Sequence, residues 1–151
     1  ALREIGGGPE RKAQLRARQQ AILCPSARKA MREANVLLNN PSHFSVALRY
    51  RPGKDAAPVV VARGRDGVAL AMRELASERE VPMLDYPVLT RALYFTTRAG
   101  QPIPEDLYQA VAIILAFVFR LDREMGQRLQ PPAVEVPPTK RFDTDGKAEE
   151  G

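Results

Sequence analysis

Apolar and polar residues alternate along His43 to Tyr50: Phe44, Val46, Leu48 and Tyr50 fall on one face, Ser45, Ala47 and Arg49 on the other. A period of two is the signature of a half-buried β-strand. Upstream, Val36-Leu37-Leu38 gives a short buried-strand signal, and Asn39-Asn40-Pro41-Ser42 between the two segments is a cluster of turn residues. Downstream, Arg51 to Asp55 carries Pro52 and Gly53 and reads as a hairpin-like connection. Ala56 to Ala62 is apolar on both faces, which predicts a central strand with Pro58 near its start. Val81 to Asp85 is a fourth, short strand whose Pro82 suits an edge or a strand start.

The remaining apolar residues follow helical spacing. Val68, Ala71, Met72 and Leu75 fall at i, i+3, i+4 and i+7 and predict a helix from about Asp66 to Arg79, entered through the turn Gly64 to Gly67. Pro87 to Phe95 predicts a short helix. Leu107, Val111, Ile114, Val118 and Leu121 predict a long one running to about Arg128, with Pro104 early and two acids in its first turn. Near the N-terminus, Glu10 to Leu23 consists of strong helix formers whose large apolar residues are Leu15, Ile22 and Leu23. That stripe is too thin to dock firmly, so a protruding, mobile or partner-held helix is expected. Pro25 interrupts it, Ser26 suits the cap of a short helix over Ala27–Glu33, and Cys24 reads as a small packing residue. The order α-β-β-β-α-β-α-α predicts an α/β fold: a small mixed four-stranded sheet surrounded by helices, with a long N-terminal linker helix. Residues 1–33 form the arm, 34–128 the α/β domain, and 129–151, dominated by proline and charge, a disordered tail.

The 151 residues are 44% hydrophobic, one domain's worth of chain with apolar residues enough for a core. A lone cysteine excludes an internal disulfide, and the Cys/His clusters that zinc requires are missing. Neither a metal nor a cofactor is expected, and a reducing setting is the default. The glycines at 64 and 67 match neither the dinucleotide nor the P-loop spacing. The N-terminus does not read as a signal peptide, having no charged region followed by an apolar stretch and a small-residue cleavage site, and the longest apolar run, Ala110 to Phe119, is about half of the roughly 20 residues a membrane span needs. The formal charge of +5 first suggests nucleic acid, but it is confined to one segment. Residues 1–40 hold eight basic and three acidic residues, while 41–151 hold fifteen of each. A nucleic-acid binder would spread base over a folded face, often with aromatic rings interleaved, and the first such ring here is Phe44, beyond the arm. No nucleic-acid partner is expected.

The candidate chemistry lies at Asn40-Pro41-Ser42-His43. As local sequence this is a tight turn followed by an ordinary strand histidine. It also permits a reaction. Asparagine damage usually begins with attack by the next residue's backbone nitrogen on the side-chain carbonyl, but Pro41 has no N–H. The reverse direction stays open: the Asn40 side-chain nitrogen attacks its own main-chain carbonyl, closes a succinimide and expels the nitrogen of Pro41, breaking the chain. An amide is a poor nucleophile, so the fold must supply proximity, a donor for the developing oxyanion and a proton carrier. A turn held between two strands can store the necessary strain. Ser42 offers a hydroxyl and a backbone N–H, and His43, the one histidine, is of the type that exchanges protons near neutral pH. The residues alone leave both readings open.

The string Asn39 to Tyr50 closely resembles the Asn-Pro-Thr-His segment and following strand of the FlhB family, the specificity-switch proteins of flagellar type III export. The likeness continues through Pro52-Gly53-Lys54, Ala57 to Gly64, Arg91-Ala92-Leu93-Tyr94 and Ile103 to Ala112, in the family's order, and covers about residues 9–128. The resemblance implies a cytoplasmic domain that follows transmembrane helices at the bacterial inner membrane. It implies a single-turnover self-cleavage between Asn40 and Pro41, with Asn40, Pro41, Ser42 and His43 as site residues and the pieces held together by the sheet. It further implies a switch of export from rod and hook to filament subunits. The implied partners are other export-apparatus proteins, exported flagellar subunits, a hook-length control protein and the membrane near the basic arm. Ser42 stands where the family has Thr. The equivalent injectisome switch protein, and a non-cleaving binding module whose arm docks a partner or lipid headgroups, are the alternatives.

Overall fold

The computed structural model describes residues 9–41, 43–123 and 129–149. Alternation along the strands divides the interior into two layers of core. From β1 (Val36–Asn40), β2 (Phe44–Arg49) and β3 (Val59–Arg65), the side chains of Val36, Leu38, Val46, Leu48 and Val60 point to one face of the sheet. They meet Leu89 and Leu93 of α4 (Pro87–Thr96) and Val111, Ile114 and Val118 of α5 (Tyr108–Arg123). Leu37, Ala47, Val61 and Ala62 turn the other way, toward Met31 of α2 (Pro25–Arg32) and Met72 and Leu75 of α3 (Asp66–Glu78). Helices therefore cover both faces of a mixed sheet. β1 pairs antiparallel with β2 and parallel with β4 (Met83–Asp85), and β3 pairs antiparallel with β2 and with β5 (Gln101–Pro102). The spatial order is β4-β1-β2-β3-β5, which puts β1 inside the sheet and β4 at its edge.

The structure differs from the sequence reading in several places. Both faces of β2 are buried, Gly64 lies within β3 and not in a turn, and Cys24, not Ser26, is the N-cap of α2. The sheet has five strands; β5 is two residues long and exposed, too short to leave a period, and is defined by its pairing with Val59 and Val60. Asn39 and Asn40, read as turn residues, are buried members of β1 opposite Ser45 and Phe44. Cys24, expected to pack, is exposed beside the start of α2, with its thiol 3.2 Å from Ser26 Oγ. Within the tail expected to be disordered, residues 129–149 are ordered against the body: Val136 is buried in the α4/α5 core, Tyr86 donates to Pro132 O, and Lys140 pairs with Asp106 at 2.7 Å. Val134, Val136 and Phe142 pack on the body and backbone carbonyls accept hydrogen bonds from it, so a segment whose composition looks unstructured is docked. The N-terminal helix is α1 (Pro9–Ile22), which runs beside α3, and Leu23 is the first buried side chain after it. The glycine run before residue 9, the end of the last helix at 124–128 and Ser42 lie outside the described residues.

Gly64 shows where the sheet and α3 approach most closely. A Cβ there would collide with Val68 and lie 3.0 Å from Met72 Sδ, so only glycine lets β3 feed directly into α3.

The connection between β2 and β3 is tied by one carboxylate. Asp55 accepts from Arg51 N (2.9 Å), Arg51 Nη2 (2.9 Å) and Arg49 Nη2 (3.2 Å). The Arg51 hydrogen bonds, then those from Arg49, hold its carboxyl well below the usual carboxylate range. A group depressed on folding adds stability above its unfolded pKa and loses it as pH falls toward its folded one. The thermal midpoint should therefore drop more steeply below about pH 4 in the unaltered chain than in Asp55→Asn, and equal acid slopes would rule out this role.

Candidate functional site

Successive residues of a strand point to opposite faces, and the end of β1 uses both. Asn39 faces α3: its Oδ1 accepts from Ser45 Oγ at 2.7 Å, and Arg73 Nη1 reaches the same hydroxyl at 3.3 Å. Asn40 faces α4, and its side chain is buried, at 6% exposure for the residue. Arg91 of α4 donates from Nη1 to Asn40 Oδ1 at 3.0 Å, which fixes the amide plane. The amide nitrogen, Asn40 Nδ2, has no hydrogen-bond partner among the described residues. A buried amide nitrogen left unpaired costs about 1–3 kcal/mol, and such groups are rare in folded proteins.

The backbone of the turn is also held. The Asn40 carbonyl accepts from His43 N at 3.0 Å, and the His43 carbonyl accepts from Asp66 N at 2.9 Å. Asp66 opens α3 with φ of 53°, in the left-handed region that a non-glycine residue occupies at a conformational cost. On the other side Tyr86 N donates to Asn39 O at 3.0 Å. Phe44, opposite Asn40 in the register, is fully buried, with its ring 4.6 Å from Tyr94 and 5.3 Å from Phe95. The Arg65 guanidinium lies over the same ring, 5.2 Å from its centroid. The bond between Asn40 and Pro41 is thus bracketed by fixed groups on both its strand and its helix side.

Of the four residues singled out by sequence, Asn40, Pro41 and His43 come together here, and Ser42 lies outside the described residues. Among the described residues, the backbone N–H that reaches the Asn40 carbonyl is that of His43. The His43 ring is exposed, with Nδ1 3.3 Å from Pro41 O. Sequence reasoning missed Arg91 as a site residue. It lies 51 positions from Asn40, and the one local sign of it is a cation in an otherwise uncharged helix. Among the described residues no group of acidic, histidine or cysteine side chains is arranged to hold a metal ion.

Residues 2–118 match the FlhB HrpN YscU SpaS Family. The chain belongs to this family. Within it, the flagellar biosynthetic protein FlhB of Escherichia coli (strain K12) is 42% identical over 145 residues, which are 93% of this chain and 38% of that protein. FlhB of Bacillus subtilis (strain 168) is 34% identical over 79% of this chain and 33% of its own length. The chain therefore spans less than half of these FlhB relatives. The fold agrees with the crystal structure of the cytoplasmic domain of FlhB from Shewanella putrefaciens, with a TM-score of 0.71 and 35% identity over 77% of this chain and 93% of that one. A mutated EscU C-terminal domain matches with a TM-score of 0.60 and 29% identity over 62% of this chain and 99% of that domain. Among the described residues no helix is long and apolar enough to cross a membrane.

Proposed function

We propose that this chain is the cytoplasmic part of a flagellar type III export component that cuts itself once, between Asn40 and Pro41, and by doing so takes part in changing export from rod and hook to filament subunits. The observation that carries the reading is the state of the Asn40 amide: buried, held through Oδ1 by Arg91, and with Nδ2 unpartnered among the described residues, beside a carbonyl that already accepts a backbone hydrogen bond. Nδ2 attacks the Asn40 carbonyl carbon, and the oxyanion that forms stays on the oxygen facing His43 N–H. The C–N bond to Pro41 then breaks. The proton lost from Nδ2 ends on the proline nitrogen, leaving a succinimide at position 40 and a secondary amine at Pro41, and water later opens the ring. His43, at the turn and solvent-exposed, is placed to carry protons to and from bulk water.

The arm's basic charge suits a position below a membrane-spanning region at the cytoplasmic face of the bacterial inner membrane, with export-apparatus proteins, exported flagellar subunits and a hook-length control protein as partners. Similarity to FlhB sequences favours the flagellar system over the injectisome. Mass spectrometry of freshly purified, denatured protein tests the cut. Fragments 1–40 and 41–151 are expected, and Asn40→Ala should remain whole. An unaltered chain still intact after days at neutral pH would overturn the reading and leave a binding module.

A further inference from the structure

Arg91 bonds to more than Asn40. Its Nε donates to Phe142 O at 2.6 Å, and its Nη2 lies 3.6 Å from Glu149 Oε2. Both partners belong to a hairpin near the C-terminus. Phe142 and Ala148 form an antiparallel bridge, Glu149 N donates to Arg141 O at 2.9 Å, and Asp143 Oδ1 accepts from Asp145 N and Lys147 N, each at 2.9 Å. The hairpin turns through Gly146, at φ +84°, whose backbone lies so close to Phe95 that a Cβ would sit 2.9 Å from the ring. The Phe142 ring packs on Phe95 at 5.9 Å. Phe95 in turn touches Phe44, which follows the turn. One side of the hairpin is thus fitted to α4, and its polar groups bind the guanidinium that touches Asn40.

We propose that the C-terminal hairpin, residues 141–149, is a positioning element for the Asn40–Pro41 bond: it takes two nitrogens of Arg91 and leaves the third aimed at Asn40 Oδ1, and thereby sets the rate of cleavage. This rests on the self-cleavage reading above. An arginine side chain has several torsions to freeze, and a planar fork engaged at Nε and Nη2 has little choice left for Nη1. A cationic donor on Oδ1 draws the amide's charge toward that oxygen and acidifies the Nδ2 protons, which favours the nucleophilic form. The proton leaving Nδ2 still ends on Pro41, so the hairpin changes the rate and not the products.

The rate is read from cell-free synthesis of the full chain, sampled over time by denaturing mass spectrometry. Three altered chains are compared with it: Gly146→Val, which forces the hairpin off Phe95, Glu149→Gln, and a chain ending at Lys140. The first and third should cut on the order of tenfold more slowly, in line with the sensitivity of such reactions to small misplacements, with the thermal midpoint of the sheet nearly unchanged. Glu149→Gln, which removes only the longer contact, should slow it less. In an Arg91→Lys background, where the fork is already gone, the same changes should have no further effect. Unchanged rates, or effects that multiply in the Arg91→Lys background, would overturn the proposal. If the unaltered chain never cuts, the parent reading fails by itself. The hairpin is then judged by hydrogen exchange at Arg91 Nε–H: slower exchange in the full chain than in the chain ending at Lys140 supports the positioning role, and equal exchange overturns it.

Discussion

The Asn40→Asp chain is expected to fold normally and to remain uncut at neutral pH, with cleavage slowed by at least about a hundredfold. Aspartate has nearly the shape of asparagine, so β1 and its partners keep their places. Its carboxylate is buried, and alone it would be costly, but Arg91 Nη1 lies 3.0 Å from the retained oxygen, so the new charge gains an ion pair. The nitrogen that would attack is gone. A carboxylate oxygen attacking the same carbon would give a reactive anhydride that readily reverts, and the proline nitrogen would leave without the proton that the amide supplies. Mass spectrometry alongside thermal unfolding separates chemistry from folding. Fragments at the unaltered rate would mean that the bond is broken by a route that does not use the asparagine amide.

Phe44→Ala should have the largest effect on stability, about 3–5 kcal/mol by analogy with buried phenylalanines elsewhere. The ring is fully buried, and removing it deprives Tyr94 and Phe95 of an aromatic neighbour and Arg65 of the face it lies over. A loss of that size is a large share of the 5–15 kcal/mol typical of a folded domain. The denaturant midpoint should fall sharply at unchanged slope. Cleavage should slow as well, since Phe44 pairs with Asn40 and anchors the strand leaving the turn. A change below about 1 kcal/mol would mean that the ring is not an anchor of the core.

What was legible in the sequence, and what was not, follows from the range of the interactions. The stripe from Leu107 to Val118 is a local pattern and corresponds to a buried face, whereas the alternation from Phe44 to Leu48 located a strand but not its exposure: Ser45 and Ala47 are buried as fully as Phe44, Val46 and Leu48, because helices cover both faces of the sheet. Asn39 and Asn40 looked like turn residues because asparagine usually is one. Each instead finds a specific partner across the fold, Ser45 for Asn39 and Arg91 for Asn40, and no local rule contains that information. β5 exists only because β3 offers it an edge. The tail has few apolar residues, and it docks by lending carbonyl oxygens to Tyr86 and Arg91, a mode of attachment that composition does not register. The turn holding the asparagine was visible from its four residues. The cation that completes it was visible only once α4 lay beneath β1.

The interior place of β1 gives the proposed cut a thermodynamic meaning. Strand β1 lies between β4 and β2, with Val36, Leu37 and Leu38 wholly buried, and Leu23 and Met31 ahead of it also belong to the core. While the chain is whole, these contacts form at an effective concentration set by the tether. Once the bond at residue 40 opens, the same contacts become a complex of two polypeptides with a dissociation constant of its own. Its lifetime is then governed by an off-rate through a buried strand. Such a cut leaves the architecture in place while giving the turn two new chain ends, and the segment up to residue 40 becomes a separable subunit held by the place of β1 in the sheet and by the packing of Leu23 and Met31.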